Sequence, residues 1–237
     1  MRRVVRRGKK RRAKGLAGVL PRRYDAPLAV EALLPLSPSL GYTSPESPLN
    51  QLIVTSDTFL AWAWRRHLFV DKRTAAFLSL EAAHYRLNDS NLISLIVDME
   101  SLTTSRFAAL ETLRGCRMAK NGLRIFLLIS QQDPPMSRFL RAAGPFELLV
   151  RTLPVQALRE AVLMPPVPET VTRFTALEWQ LIGRLAQGQT LKNVARELHL
   201  PYHRAVYRIT TLSQHLGLPG RQSLTQLLHR LTLDVNH

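Results

Sequence analysis

Four polar residues each follow a short apolar run, and their types could bring opposite charges to one edge of a sheet. Asp57, Asp98, Ser130 and Arg151 follow the runs QLIVTS, LISLIV, IFLLI and FELLV. A buried strand that ends on an acid can present that acid at the rim of a sheet, where open α/β sheets place their sites. Asp98 could then pair with Arg151 across the strand ends. The alternative is that Asp98 only marks the point where the chain turns back to water.

The elements that must position these residues alternate between strand and helix. Apolar runs predict strands at QLIVTS, NLISLIVD, LRIFLLIS and FELLVRT, whereas AAFLSLEAAHYRL is ambiguous between strand and helix. Strands that are apolar throughout and alternate with helices indicate a parallel sheet covered on both faces. We therefore expect an α/β doubly wound domain with a five-stranded parallel sheet over residues 49–164.

Composition divides the rest of the chain, which has 237 residues. Residues 1–23 carry eleven Lys or Arg and no acid, which predicts a disordered basic arm that binds polyanions without reading sequence; an ordinary solvated tail is the alternative. Residues 24–48 are rich in Pro and Ser and predict a linker. The prolines of PPVPE stop the alternation, so we expect a linker over residues 165–172 and an all-α four-helix domain over 173–237.

Bulk properties exclude several classes of protein. Hydrophobic residues make up 46% of the chain, which is enough for a packed core. No apolar run approaches the roughly 20 residues that span a bilayer. The single cysteine, Cys116, fits a reducing cytoplasm. The sequence contains no Gly-rich phosphate loop, no metal-binding Cys/His spacing and no nucleophile–base pair, so we expect neither an enzyme nor a bound metal or cofactor.

The last domain contains two short helices joined by a tight turn. In the second helix Ala205, Ile209, Leu212 and Leu216 form an apolar stripe. The opposite face carries donors, acceptors and positive charge without an acid: His203, Arg204, Tyr207, Thr210, Thr211 and Gln214, with Arg208 on the flank. Such a face suits the major groove of DNA. The alternative is the solvated face of a helical bundle, although solvated faces usually mix both signs of charge.

Residues spaced along positions 174–221 match a known pattern without a gap. They are Phe174, Thr175, Glu178, Leu185, Ala186, Gly188, Lys192, Val194, Ala195, Leu198, Leu212, Leu216, Gly217 and Arg221. In these residues the chain resembles the LuxR-type helix-turn-helix domain. The resemblance implies that Thr190, Lys192 and Arg208 contact phosphates. It also implies that four side chains face base edges: His203, Arg204, Tyr207 and Thr211.

Departures from that pattern fall on the contact helix. Val206 stands at the position of a lysine, Arg208 at that of a histidine, and Pro201 replaces the usual N-cap serine. The lost lysine removes one expected DNA contact. We therefore expect a sequence preference unlike that of typical members, and weak binding by the lone protein is an open alternative.

Regulators with this module usually carry a receiver domain before it, as in the NarL/FixJ-like architecture, and residues 50–164 resemble one. The resemblance implies that Asp98 is the phosphoacceptor and that Asp57, Ser130 and Arg151 are remnants of the receiver pocket. However, Ser56 replaces one metal-binding acid and Arg151 replaces a lysine, and these two cations are not interchangeable at a phosphate site. We expect a degenerate receiver that works without phosphorylation.

The expected function is a bacterial DNA-binding transcription regulator, cytoplasmic and associated with the nucleoid. Its expected partners are double-stranded DNA and a second subunit, either in a homodimer or in a heterodimer with another response regulator, and no membrane. One alternative is an auxiliary regulator that acts by pairing with a complete response regulator. Another is a non-specific nucleic-acid binder that uses the basic arm.

Two further segments bear on partners. In FLAWAWRRHLF, Trp62 and Trp64 either contribute a docking surface or lie in the core, and we favour the core. In the last helix, Leu224, Leu227, Leu228 and Leu231 share one face. Part of that face should pack on the bundle, and in related domains this helix often dimerises.

Overall fold

The computed structural model describes four stretches of the chain: residues 49–69, 73–130, 133–165 and 171–232. The predicted basic arm (1–23) and the Pro/Ser-rich linker (24–48) lie outside the described residues. Most of the predicted linker at 165–172 lies outside them as well.

Five parallel strands form a single sheet in the order β2-β1-β3-β4-β5. The strands are β1 (Gln51–Val54), β2 (Thr74–Phe77), β3 (Ser94–Asp98), β4 (Arg124–Ile129) and β5 (Phe146–Val150). This order is that of a doubly wound α/β fold, in which all strands end at the same edge. The predicted five-stranded parallel sheet is confirmed.

Helices connect these strands. They are α1 (Thr58–Ala63), which continues into a π-helical turn (Trp64–Leu68), and α2 (Leu80–Leu87), α3 (Arg106–Ala119), α4 (Pro134–Ala143) and α5 (Val155–Leu163). The ambiguous segment AAFLSLEAAHYRL contains both a strand and a helix. Ser79 separates them, because its Oγ accepts a hydrogen bond from the N–H of Ala82 at 3.2 Å and caps α2.

Side chains alternate between the two faces of the sheet with the period of two expected of strands. On β3, Leu95 and Val97 point into one cluster of buried residues, and Ile96 points into the other. The second cluster includes Trp64 and Leu68 of the π-helical turn and Leu158 and Val162 of α5, so these elements cover the same face. Helices α2, α3 and α4 cover the opposite face.

Four helices follow the α/β domain: α6 (Ala176–Ala186), α7 (Leu191–Glu197), α8 (Tyr202–His215) and α9 (Arg221–Thr232). Helix α6 begins with a capping box. The N–H of Glu178 donates to Thr175 Oγ1 at 3.2 Å, and the N–H of Thr175 donates to Glu178 Oε2 at 2.8 Å. The all-α four-helix domain predicted after the sheet is confirmed.

The helical domain and the α/β domain share one cluster of buried residues. At their contact the rings of Phe107 (α3) and Trp179 (α6) stack with centroids 4.9 Å apart. The Arg114 guanidinium also contacts Trp179, at 4.4 Å from the centroid of its ring. Burial lowers the pKa of Arg114, and Glu111 acts in the opposite direction. The two domains therefore pack through a specific aromatic contact.

One tryptophan is exposed on α1, and the other is buried in the π-helical turn that follows. Its extra residue per turn is closed by the hydrogen bond from Phe69 N–H to the Trp64 carbonyl, at 3.0 Å. Trp64 is 3% exposed and packs in the core, as predicted, whereas Trp62 is 53% exposed. The expectation that both tryptophans belong to the core is wrong for Trp62, because α1 turns that side chain away from the sheet.

Candidate functional site

Asp98 ends the central strand β3 and is 1% exposed. A carboxylate so far from water needs donors in the protein. Its Oδ2 accepts a hydrogen bond from Thr55 Oγ1 at 2.9 Å, and its Oδ1 accepts one from the N–H of Glu100 at 3.2 Å. Both oxygens of Asp98 are therefore engaged within the chain.

Arg151 follows β5 and brings its guanidinium between two carboxylates. Its NH2 nitrogen lies 2.9 Å from Asp57 Oδ2 and 3.5 Å from Asp98 Oδ2. The Asp98–Arg151 contact suggested by the sequence is present, and Asp57 is the closer partner. One cation thus faces two acids at the edge where the strands end.

Asp57 has a second role, at the start of α1. Its Oδ1 accepts a hydrogen bond from the N–H of Leu60 at 3.0 Å, which makes it the N-cap of the helix. The helix cap therefore fixes the carboxylate that holds Arg151. Ser56, beside it, is exposed.

Two hydroxyl residues complete this group, and the sequence did not indicate either of them. Thr55 Oγ1 and Ser101 Oγ are 3.0 Å apart, and Ser101 Oγ accepts from the N–H of Ser56 at 3.0 Å. Thr55 Oγ1 also accepts from the N–H of Asp57 at 3.1 Å. We call Thr55, Asp57, Asp98, Ser101 and Arg151 the sheet-edge cluster. Thr55 is 2% exposed.

Ser130 is the predicted pocket residue that the structure leaves apart. Its side chain is exposed, and its backbone N–H donates to Glu100 Oε1 at 3.3 Å. Glu100 in turn pairs with Arg106 at the start of α3, at 2.7 Å. Among the described residues no contact joins the Ser130 hydroxyl to Asp98 or Arg151. The described residues also include no group of three or more His, Cys, Asp or Glu side chains placed to hold a metal ion.

Helix α8 buries one face and exposes the other. Ala205, Ile209 and Leu212 are 0–2% exposed, as the apolar stripe predicts. On the outer face Tyr207 is 72% exposed, and His203 and Arg204 are exposed as well. Arg208 and Thr211, on the edges of that face, are half-buried. The helix contains no acid, so its outer face carries donors and positive charge only.

Helix α7 precedes α8 and packs against it. Thr190 caps α7, since its Oγ1 accepts a hydrogen bond from the N–H of Asn193 at 3.3 Å. Lys192 lies exposed in the first turn. The turn to α8 contains His199 with φ of 51°, a left-handed conformation that is uncommon for a residue with a Cβ. These features make a helix–turn–helix with α8 on the outside.

Comparison with known proteins places the chain in a family. No family model matches the sequence. The chain is 36% identical over 237 residues to the Fimbriae Y protein of Salmonella typhimurium (strain LT2), and the match covers 100% of this chain and 99% of that protein. The chain belongs to the Fimbriae Y protein family.

Solved structures of two regulators are also similar to this member of the Fimbriae Y family. RcsB of Salmonella enterica serovar Typhimurium bound to the promoter rprA is 14% identical, with a TM-score of 0.46 over 78% of this chain and 99% of that chain. Full-length FixJ of B. japonicum is 13% identical, with a TM-score of 0.39 over 78% of this chain and 98% of that chain.

The predicted site residues of this family member thus fall in two separate places. Asp57, Asp98 and Arg151 meet at the sheet edge, and Ser130 stands apart from them. The seven predicted DNA contacts lie on α7 and α8 or cap them: Thr190, Lys192, His203, Arg204, Tyr207, Arg208 and Thr211.

No described helix has the length and hydropathy that a membrane span requires.

Proposed function

We propose that this chain is a bacterial DNA-binding transcription regulator, with α7 and α8 acting as a LuxR-type helix-turn-helix and α8 entering the major groove. The observation that carries the proposal is the outer face of α8, where exposed donors and cations occur without a carboxylate. DNA presents phosphates along the groove and acceptors on base edges, so a helix face of this kind is complementary to it.

The proposed DNA contacts differ in which part of the duplex they can touch. His203, Arg204 and Tyr207 are exposed and can reach base edges, and an arginine can bond to a guanine with two hydrogen bonds. Lys192 at the start of α7 and half-buried Arg208 are placed for phosphates, which fix the register of the protein on the duplex. The Thr190 hydroxyl can still donate a hydrogen bond to a phosphate, because its oxygen acts as an acceptor in the helix cap.

Selection of bound duplexes from a random-sequence pool tests this proposal. We expect the full chain to enrich one motif, and Arg204→Ala to relax the preference at one position with a loss of about 1–3 kcal/mol. Lys192→Ala should weaken binding to all duplexes and lower the salt slope by about 1. Arg73→Ala, an exposed arginine on the α/β domain, is the matched control. If no motif is enriched, sequence-specific binding by the lone protein is wrong.

We also propose that the receiver-like domain works without phosphorylation. Arg151 lies between the two carboxylates of the cluster, and both oxygens of Asp98 already accept hydrogen bonds, from Thr55 and from the N–H of Glu100. A receiver needs a divalent cation beside its acceptor carboxylate to neutralise the incoming phosphate. Here a side chain supplies the positive charge, so Asp98 holds Arg151 in place.

Incubation with a radiolabelled small phosphoryl donor and Mg²⁺ tests the second proposal. The expected result is no stable label on the wild-type chain, at the level of the Asp98→Ala control. Label that appears on the wild type and disappears in Asp98→Ala would overturn it.

An auxiliary role beside a complete response regulator is a second candidate. It is favoured by Val206, an apolar and half-buried residue at the helix position where the LuxR-type pattern has a lysine. A footprint on the selected motif separates the two candidates. A strong specific footprint by the lone protein excludes the auxiliary role, and a footprint that appears only with a second regulator supports it.

A further inference from the structure

A cleft opens at the N-terminal edge of the sheet, the edge opposite to the sheet-edge cluster. It has a volume of about 720 Å³ and lies where β4 and β5 begin and where α3, α4 and α5 end. Gly122 and Gly144, in the turns before the two strands, form part of its wall. Clefts of roughly 300–1,000 Å³ hold small-molecule ligands in many proteins. The size of this cleft therefore suits a small molecule. We call it the basic cleft, for the arginines described below.

Apolar side chains form part of the wall of the basic cleft. They come from the residue before β4, from β5 and from the end of α5: Leu123, Phe146, Leu148, Leu149, Ala161 and Met164. Leu148 is half-buried and Met164 is 61% exposed, so apolar surface remains open to water inside the cleft. A ligand with an apolar body would remove that surface from water, which is favourable.

Four arginines and one glutamate line the same cleft: Arg117, Arg124, Arg141, Arg173 and Glu147. Arg124 and Glu147 pair with each other. The Nε and NH2 nitrogens of Arg124 donate to the two Glu147 carboxylate oxygens at 2.8 and 2.7 Å, and its NH1 nitrogen donates to the Val162 carbonyl at 2.7 Å. The glutamate in the lining is therefore neutralised by a pair that belongs to the fold.

Arg117 and Arg173 are two arginines of the cleft without a carboxylate partner. In the part of the chain that the structure describes, no ion pair joins either of them to an acid. Arg117 donates to the Lys120 carbonyl at 3.1 Å, at the end of α3. A helix end carries about half a negative charge, so it offsets only part of the guanidinium charge. Arg173 lies before α6, outside any helix, and is exposed.

We propose that the basic cleft binds an organic polyphosphate of nucleotide size, with its phosphates on Arg117 and Arg173. Its apolar body would lie against Leu148 and Met164. Guanidinium groups match phosphate oxygens with paired hydrogen bonds, and several of them favour a ligand that carries more than one negative charge. Arg173 belongs to the segment that leads into α6, so the ligand would contact both this segment and the α/β domain. The inference goes beyond the proposed function, because it involves neither DNA nor the sheet-edge cluster.

Isothermal titration of the full chain with ADP, at about 0.15 M salt to screen exposed charges and without a divalent cation, tests the proposal. Pyrophosphate and adenosine serve as the comparison ligands, because the first lacks the apolar body and the second lacks the phosphates. We expect saturable binding of ADP that is about tenfold or more tighter than that of either comparison ligand. Equal affinities for ADP and pyrophosphate, or no saturable binding of ADP, would overturn the proposal.

Two arginine variants show whether ADP occupies this cleft. Arg173→Ala should weaken the binding of ADP about tenfold or more, and Arg73→Ala should leave it within about twofold. Arg73 is the matched control, because it is an exposed arginine before β2, at the same edge of the sheet and outside the lining of the cleft. Each variant loses one exposed positive charge. Equal losses of affinity would mean that ADP responds to the net charge of the chain, which contradicts the proposal.

Photolabelling locates the ligand without relying on affinities. We expect 2-azido-ADP to modify the full chain within residues 117–173, as mapped by mass spectrometry of its peptides, and excess ADP to suppress the label. Label confined to residues 1–23 would assign ADP to the basic arm, and label confined to any other segment would likewise refute the basic cleft as the site.

Discussion

The sheet-edge cluster and the outer face of α8 are built from similar polar side chains, but they use them in opposite ways. At the sheet edge Arg151 pairs with Asp57 and Asp98, and Thr55 donates to Asp98 and lies within hydrogen-bond distance of Ser101. On α8 His203, Arg204 and Tyr207 point into solvent. A group that is satisfied inside the chain contributes to folding, and a group left free is available to a ligand.

The comparison predicts which measurement each region controls. Substitutions in the sheet-edge cluster should change the free energy of unfolding and leave the affinity of the chain for DNA nearly unchanged. Substitutions on the outer face of α8 should do the reverse. The four variants below test this division.

Arg151→Ala should have the largest effect. It removes the cation between Asp57 and Asp98 and leaves a nearly inaccessible carboxylate without its positive partner. The expected loss is about 2–3 kcal/mol of unfolding free energy, below that of a fully buried pair because Arg151 is partly exposed. Urea denaturation measures it, with Arg159→Ala on α5 as the exposed control. If both variants unfold at the same urea concentration, the cluster is not a closed unit.

Tyr207→Ala examines the other region. The side chain is 72% exposed, so its removal should change the unfolding free energy by less than about 0.5 kcal/mol. Affinity for the selected duplex should fall by about 1–2 kcal/mol, because the outer face of α8 loses its largest side chain. A gel-shift titration beside a urea melt gives both numbers. A large loss of stability with unchanged affinity would place Tyr207 in the same class as Arg151.

Thr55→Val asks whether the hydroxyl or only the ion pair closes the cluster. The variant removes the donor to Asp98 Oδ2 at nearly constant volume, so we expect a loss of about 1–1.5 kcal/mol. Thr210→Val is the matched control, since the Thr210 hydroxyl only donates to the Val206 carbonyl of its own helix at an exposed position. Equal urea midpoints for the two variants would show that the hydroxyl adds nothing.

Period and composition were enough to predict the sheet, because a strand buried on both faces leaves a continuous apolar run such as LRIFLLIS. They were not enough for AAFLSLEAAHYRL, where a four-residue strand and an eight-residue helix are each too short to establish a period. The boundary depends on Ser79, whose capping role requires the backbone to turn there.

The sheet-edge cluster was predictable only in part. Parallel strands end at one edge, so Asp57, Asp98 and Arg151 could be brought together from spacing alone. Thr55 and Ser101 could not, because hydroxyl residues are common at strand ends and their contacts depend on how each loop folds back. Ser130 shows the converse, since it stands at the expected position and its backbone faces Glu100 instead.

The smallest effect is expected at the turn that presents α8. His199 has φ of 51°, where a Cβ crowds the backbone, and glycine adopts this conformation freely. His199→Gly should therefore raise the free energy of unfolding by about 0.5–1 kcal/mol, after the entropy that glycine adds to the unfolded chain. Gly188→Ala, at φ of 81° and with no other atom within 4 Å of the added Cβ, should lose a similar amount, and it serves as the reverse control in a urea melt. If His199 contacts DNA, His199→Gly will gain stability and lose affinity. If the turn only positions α8, the affinity of His199→Gly for the selected duplex will equal that of the wild type. The boundary between residues that serve folding and residues that bind DNA then lies between His199 and His203.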